Sequence, residues 1–266
     1  MKPTRRVSVS DACSALLVLV LSAGCADGNP RGEERPVAVL MGYWPPTNEM
    51  LRSWSPSNPG GWQGRNWRGL GYDVYAYFPE FPPDGDPSND PIGAPGSVGS
   101  ADSDLRVDYQ DTSADFWRIV DQHQPAILIT TSRGGDIAWE LEAVEGGHTE
   151  WISDRNGVGL PERDTVDPRS WALIDRYRNG RQLASALPLT ELQAQVGALG
   201  RGEVVIDRAT SGNYLSGFLG LHGLGYLAAN HGVLAAGHIH VGRHVSVDDA
   251  RAMMEKSLEV VLTGSR

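Results

Sequence analysis

Apolar positions recur along this chain in short runs and alternations at the spacing of strands, separated by stretches with helical periodicity. Val37–Leu40 is an apolar run of strand type, and Tyr72–Phe78 alternates aromatic and β-branched residues, so both are predicted strands. Between them, Pro45–Gly64 holds four prolines among Gly, Ser and Asn and reads as loop. Residues 81–104 are richer still in Pro, Gly, Asp and Ser and form a second excursion. Helical spacing then appears over Ser113–Gln122 through Phe116, Trp117 and Val120, and Ala126–Thr130 follows as a buried strand. After a loop-like region over Gly146–Gly180 come a helix at Leu189–Leu199, a strand at Val204–Ile206, a helix at Ser211–Leu221 and a strand at Val233–Val241. Ser246 caps a last helix that runs to about Leu262, with Asp248 and Asp249 in its first turn. Alternation of strands and helices at these spacings predicts one α/β domain of three layers, αβα, with a mostly parallel open sheet.

The N-terminus follows a different pattern. Lys2, Arg5 and Arg6 precede an apolar run, Ala15–Val20, too short to span a bilayer, and Leu21-Ser22-Ala23-Gly24-Cys25 has the form of a bacterial lipobox. We therefore expect a signal peptide over residues 1–24, acylation of Cys25, a polar tether over residues 25–35 and the folded domain over residues 36–266. The expected location is the cell envelope, with the membrane as a partner through lipid.

Charge narrows the partners. With 33 acidic against 23 basic side chains the chain is acidic, which argues against nucleic acid. The only two cysteines are Cys13 and Cys25, so the domain itself has neither thiol nor disulfide, and nucleophilic chemistry in it must use another group.

The final third carries the chemistry. The stretch Ser211-Gly212-Asn213-Tyr214-Leu215-Ser216-Gly217, followed by His238-Ile239-His240-Val241-Gly242, resembles the pyroglutamyl peptidase I (pyrrolidone-carboxylate peptidase) pattern, in which Asp-Ala-Gly-x-Tyr-Leu-Cys-Asn is followed by Phe-Ile-His-Val-Pro. Ser216 falls on that family's catalytic cysteine and His240 on its histidine. Ile137-Ala138-Trp139-Glu140 resembles the segment bearing its glutamate, and Met41-Gly42-Tyr43-Trp44-Pro45-Pro46 its Thr-Gly-Phe-x-Pro-Phe-Gly start. Leu187-Pro188 resembles the family's Leu-Pro before the helix that precedes the nucleophile strand. The resemblance implies a pyroglutamyl peptidase I-like (phosphorylase/hydrolase-like) fold and a site of Ser216, His240 and Glu140, with Tyr43 and Trp44 on the substrate ring. Arg133, displaced relative to the arginine that helps form the family's oxyanion site, is the third candidate substrate-binding residue.

Those residue types suit acyl transfer. A serine hydroxyl needs a histidine to take its proton, and the histidine needs a carboxylate to fix its tautomer; Ser216 at a helix start also has backbone N–H groups for an oxyanion. The expectation is a hydrogen bond from Ser216 to His240, with Glu140 on the other ring nitrogen. Two functions follow: a hydrolase removing an N-terminal pyroglutamyl or related group from a peptide, or acting on a small amide or ester, and a catalytically inactive surface lipoprotein using the same pocket as a binding module. His238-x-His240 puts two rings on one strand face, a geometry metal sites use, but no carboxylate stands nearby at a familiar spacing, so neither metal nor cofactor is expected.

Overall fold

The computed structural model describes residues 35–81, 98–154, 163 and 165–265. The expected signal peptide, the lipobox-like segment with Cys25 and most of the expected tether lie outside the described residues, as do parts of both long excursions. Among the described residues no helix is long and apolar enough to cross a membrane.

Six strands form the central sheet: β1 (Val37–Tyr43), β2 (Asp73–Tyr77), β3 (Ile127–Arg133), β4 (Trp139–Glu142), β7 (Val204–Asp207) and β8 (Ala235–Val241). Their order is β2-β1-β3-β8-β4-β7, with every pairing parallel except that of β4 with β8. The central strands β1, β3 and β8 are buried nearly throughout, as a parallel sheet covered on both faces requires. A small antiparallel pair, β5 (Val144–Gly146) and β6 (Gln182–Ala184), lies apart.

Alternation along each strand sends side chains to two separate cores. Leu40, Ile127, Ile129, Ile239 and Trp139 pack on one face under α1 (Thr47–Leu51), α4 (Leu189–Gly197) and α6 (Val247–Gly264). Val39, Met41, Tyr43 and Leu128 pack on the other with α2 (Tyr109–His123), α3 (Pro168–Arg176) and α5 (Leu215–Ala229). The expected αβα sandwich is therefore formed, as a single folded unit, by the described residues from Arg35 onward.

The caps explain several boundaries. Ser246 accepts from the backbone N–H of Asp249, as the sequence predicts, and Asp108 caps α2 through Gln110 and Asp111. Two segments read as loop contain helices. The Pro45–Gly64 stretch forms α1 and a 3₁₀ turn at Arg52–Trp54, which bury Met50, Leu51 and Trp54. The Gly146–Gly180 stretch holds α3, started by Asp167 as cap with Pro168 in its first turn.

Helices α2, α3 and α5 are joined by a buried polar chain. His222 Nδ1 donates to the Phe218 carbonyl at 2.6 Å, so its Nε2 accepts from Ser170 Oγ, also at 2.6 Å. Ser170 Oγ in turn accepts from Trp117 Nε1 and lies 2.7 Å from Ser113 Oγ, which accepts from the backbone N–H of Asp167. Ser170 and His222 are fully buried, so this serine–histidine pair is internal packing, out of reach of a substrate.

Candidate active site

Tyr43, Arg133 and His240 lie at or near the C-terminal ends of the parallel strands β1, β3 and β8, the edge where ligands bind in open α/β sheets. His240 is the sixth residue of β8 and only 13% of its side chain is exposed. Its Nδ1 lies 2.7 Å from Oε1 of Glu142, whose side chain is 1% exposed. A carboxylate accepts, so the hydrogen belongs on Nδ1 and the lone pair on Nε2, the tautomer a general base needs. The carboxylate on His240 is thus Glu142, and the expected role of Glu140 is corrected.

The antiparallel register supplies the physical reason. Glu140 stands directly opposite His240 across the β4–β8 pair, whereas Glu142 is the diagonal neighbour two residues further along β4, on the same face. A glutamate side chain is long enough to reach diagonally, and Glu142 comes in from the buried side. Glu140 stays partly exposed and makes no hydrogen bond among the described residues. Burial raises the pKa of both carboxyls, and in Glu142 the His240 hydrogen bond opposes that rise.

The approach of these side chains depends on Gly134. A Cβ added there would lie 2.9 Å from His240 Cβ and 3.1 Å from Glu140 Oε2, closer than side chains tolerate without movement. The segment after β3 is tied to the end of β8 by the Gly134 N–H to the Val241 carbonyl and by Arg243 N–H to the Gly135 carbonyl.

Ser216 is the second residue of α5 and is partly exposed. The helix begins at Leu215, four residues later than the sequence pattern suggests, so Ser216 sits in its first turn, at the positive end of the helix. Gly217 makes this start possible: a Cβ there would fall 1.8 Å from the Gly212 carbonyl oxygen. Among the described residues no hydrogen bond joins Ser216 to His240, and the carboxylate on His240 is Glu142, not the expected Glu140. Nucleophile–base contacts in ligand-free sites are often long and tighten around substrate.

Glu145 is a residue that sequence patterns missed. It is fully buried on β5, where its carboxylate accepts from the Ser211 hydroxyl and, at 3.3 Å, from the Ser211 backbone N–H. Burial pushes its pKa well up, against the opposing Ser211 hydrogen bonds, while it anchors the turn that leads to Ser216. The signal available in the sequence was a glutamate between Val144 and two glycines, too common a context to single out.

His238 is fully buried with Nδ1 2.8 Å from Thr130 Oγ1 and Nε2 2.9 Å from Ser132 Oγ. Burial holds its pKa well below the ordinary histidine value, so it stays neutral while its ring meets His240 edge-on, 5.0 Å between centroids. Both nitrogens being occupied, His238 does not pair with His240 around an ion.

The expected ring-binding residues divide. Tyr43 is 1% exposed and its hydroxyl lies 2.6 Å from Thr112 Oγ1, because it shares the inward face of β1 with Val39 and Met41. It is a core residue and offers no face to a substrate. Trp44 is half-buried with φ of 60°, immediately before the cis Pro45–Pro46 bond. Arg133 ends β3 beside Val241, half-buried, with no ion pair among the described residues; burial and nearby Arg243 lower its pKa.

This architecture defines the class: an αβα fold with one mostly parallel sheet and a histidine–carboxylate pair at its C-terminal edge. The fold is that of the pyroglutamyl peptidases. The pyrrolidone carboxyl peptidase of Pyrococcus furiosus superposes with a TM-score of 0.59 at 14% identity, over 86% of this chain and 100% of that one. Pyroglutamyl peptidase I of Bacillus amyloliquefaciens gives 0.57 at 14% identity, over 87% and 98%, and the Thermococcus litoralis pyrrolidone carboxyl peptidase 0.58 at 14%, over 86% and 94%. No sequence-family model matches the chain, and no curated protein matches it by sequence.

Proposed function

We propose that the protein is a serine-dependent hydrolase of the pyroglutamyl-peptidase type, cleaving an N-terminal pyroglutamyl amide or a related cyclic amide or ester. The observation that supports it most is the His240 Nδ1 to Glu142 Oε1 contact at the sheet edge, in a fold shared with pyroglutamyl peptidases. In this reading Ser216 attacks the carbonyl, His240 Nε2 takes the hydroxyl proton and returns it to the leaving amine, and Glu142 steadies the imidazolium between. The start of α5 offers N–H groups to the oxyanion, and Arg133 supplies positive charge near it.

The test is turnover of a fluorogenic pyroglutamyl amide and a panel of simple esters, together with covalent labelling by a serine-directed fluorophosphonate. Label on Ser216, lost in Ser216→Ala, supports the hydrolase. A folded protein that neither turns over any substrate nor takes the label favours the alternative, a binding module, to which the absence of a Ser216–His240 hydrogen bond lends weight.

The envelope location belongs to the same proposal. The lipobox ending at Cys25 predicts incorporation of labelled palmitate by bacteria expressing the full chain, and Cys25→Ser should abolish it. Unlabelled wild-type protein in that experiment would remove the lipid anchor.

A further inference from the structure

Glu140, Glu142 and His240 form a three-sided group whose potential ligand atoms all lie within 4.8 Å of one another. Ligands on opposite sides of a first-row divalent ion with bonds of about 2.0–2.2 Å stand about 4 Å apart, so a side-chain shift of under about 1 Å closes the set. Two carboxylates and one imidazole are a donor combination that such ions accept. The sequence hid this group, since its carboxylates come from β4, far from His238 and His240 in the chain.

A second observation points into the same place. Glu142 is 1% exposed, its Oε1 is on His240 Nδ1, and its Oε2 is buried with no hydrogen-bond partner among the described residues. A buried carboxylate oxygen without a donor is costly, and a cation beside it removes that cost. Glu140 adds a further carboxylate on the same strand face, with no hydrogen bond among the described residues. The backbone of all three residues is fixed in paired strands, so little ordering is needed on binding.

We propose that Glu140, Glu142 and His240 bind one divalent transition-metal ion, Zn²⁺ for example, at His240 Nδ1, and that this ion switches the hydrolase off. The ion takes the Nδ1 lone pair. The neutral ring keeps its single proton, which moves from Nδ1 to Nε2, so Nε2 no longer has a lone pair to accept the Ser216 proton. No electron is transferred and no bond of the protein breaks. The inhibition rests on the hydrolase reading; the ion binding does not.

Zn²⁺ titration of the purified full chain by calorimetry tests the site, with Co²⁺ absorption in the visible as a second readout. We expect one ion per chain, affinity lower by at least roughly tenfold in Glu140→Gln, and no change in His244→Ala, which alters an exposed surface histidine. Circular dichroism establishes that the variants are folded, and the wild-type stoichiometry stands as a test if Glu140→Gln is not. Absence of a stoichiometric site at millimolar Zn²⁺, or equal binding by Glu140→Gln, overturns the proposal. Hydrolysis should fall in parallel with occupancy; full hydrolysis by the Zn²⁺-loaded protein overturns the switch. A chain that binds the ion but never hydrolyses any substrate defeats the hydrolase reading and leaves the ion site standing.

Discussion

Replacing Glu142 by Gln should lower kcat roughly 10⁴-fold with little change in KM, while Glu140→Gln should lower it by about tenfold at most. The difference follows from the contacts. Glu142 Oε1 is the acceptor for His240 Nδ1, and its charge is held where burial strengthens it. An amide in its place either donates to Nδ1, which forces the ring hydrogen onto Nε2, or turns its oxygen there and leaves an NH₂ group in the buried position of Oε2, which has no partner among the described residues. Both orientations remove the negative charge that stabilises the imidazolium in the transition state. Glu140 lacks a contact of that kind. Steady-state kinetics on whichever ester or amide turns over fastest decides the matter, and equal losses in the two variants would return Glu140 to the orienting role.

The second large effect concerns stability. His222 is fully buried, and burial pushes its pKa from 6.5 down to about 4, against the smaller opposing effects of the Phe218 carbonyl and Asp167. The folded state therefore binds fewer protons than the unfolded state between those two values. Stability from this group is complete above pH 6.5 and is lost as pH falls toward 4, by about 3 kcal/mol in all. Protonation would also put a hydrogen on Nε2, where Ser170 now donates, so the chain through Trp117 and Ser113 would have to rearrange. Urea unfolding at pH 7 and pH 4.5 measures the loss in the wild type. In His222→Gln, lower in stability at neutral pH, the part of the pH slope owed to this residue should vanish; an unchanged slope would assign the acid lability to other groups, the buried His238 first among them.

Much of the fold was legible because its strands obey simple patterns. The apolar runs of β1, β3 and β8 announce a sheet covered on both faces, and the Ser246 cap announces α6. Helix α3 was obscured by the Gly, Pro and Asp around it, although Asp167-Pro168 is itself a start signal. Strand β4 is the instructive failure. Trp-Glu-Leu-Glu alternates with period two, and Trp139 and Leu141 are indeed fully buried on one face while the two glutamates share the other. Four residues are too few to distinguish that alternation from chance, so the resemblance to a family motif settled on Glu140. Which of two glutamates on one face meets a histidine depends on the stagger of strands far apart in sequence, and no local pattern holds that information. Tyr43 failed for the opposite reason: its motif position suggested a surface role, but the strand extends through it and the pleat turns it inward.

The place of β4 in the sheet bears on how the site comes into being. It follows β3 directly in sequence yet is separated from it in space by β8, so the five-residue strap from Gly134 to Ala138 bridges a slot that only the last strand fills. Glu142 and His240, 98 positions apart, meet when β8 enters that slot. During synthesis from the N-terminus, every chain that stops short of β8 lacks the site altogether, and the strap's own anchors on Val241, Gly242 and Arg243 are missing with it. Assembly of the histidine–carboxylate pair therefore waits for β8, and a copy that stops before Ala235 carries a gap in its sheet where the chemistry belongs.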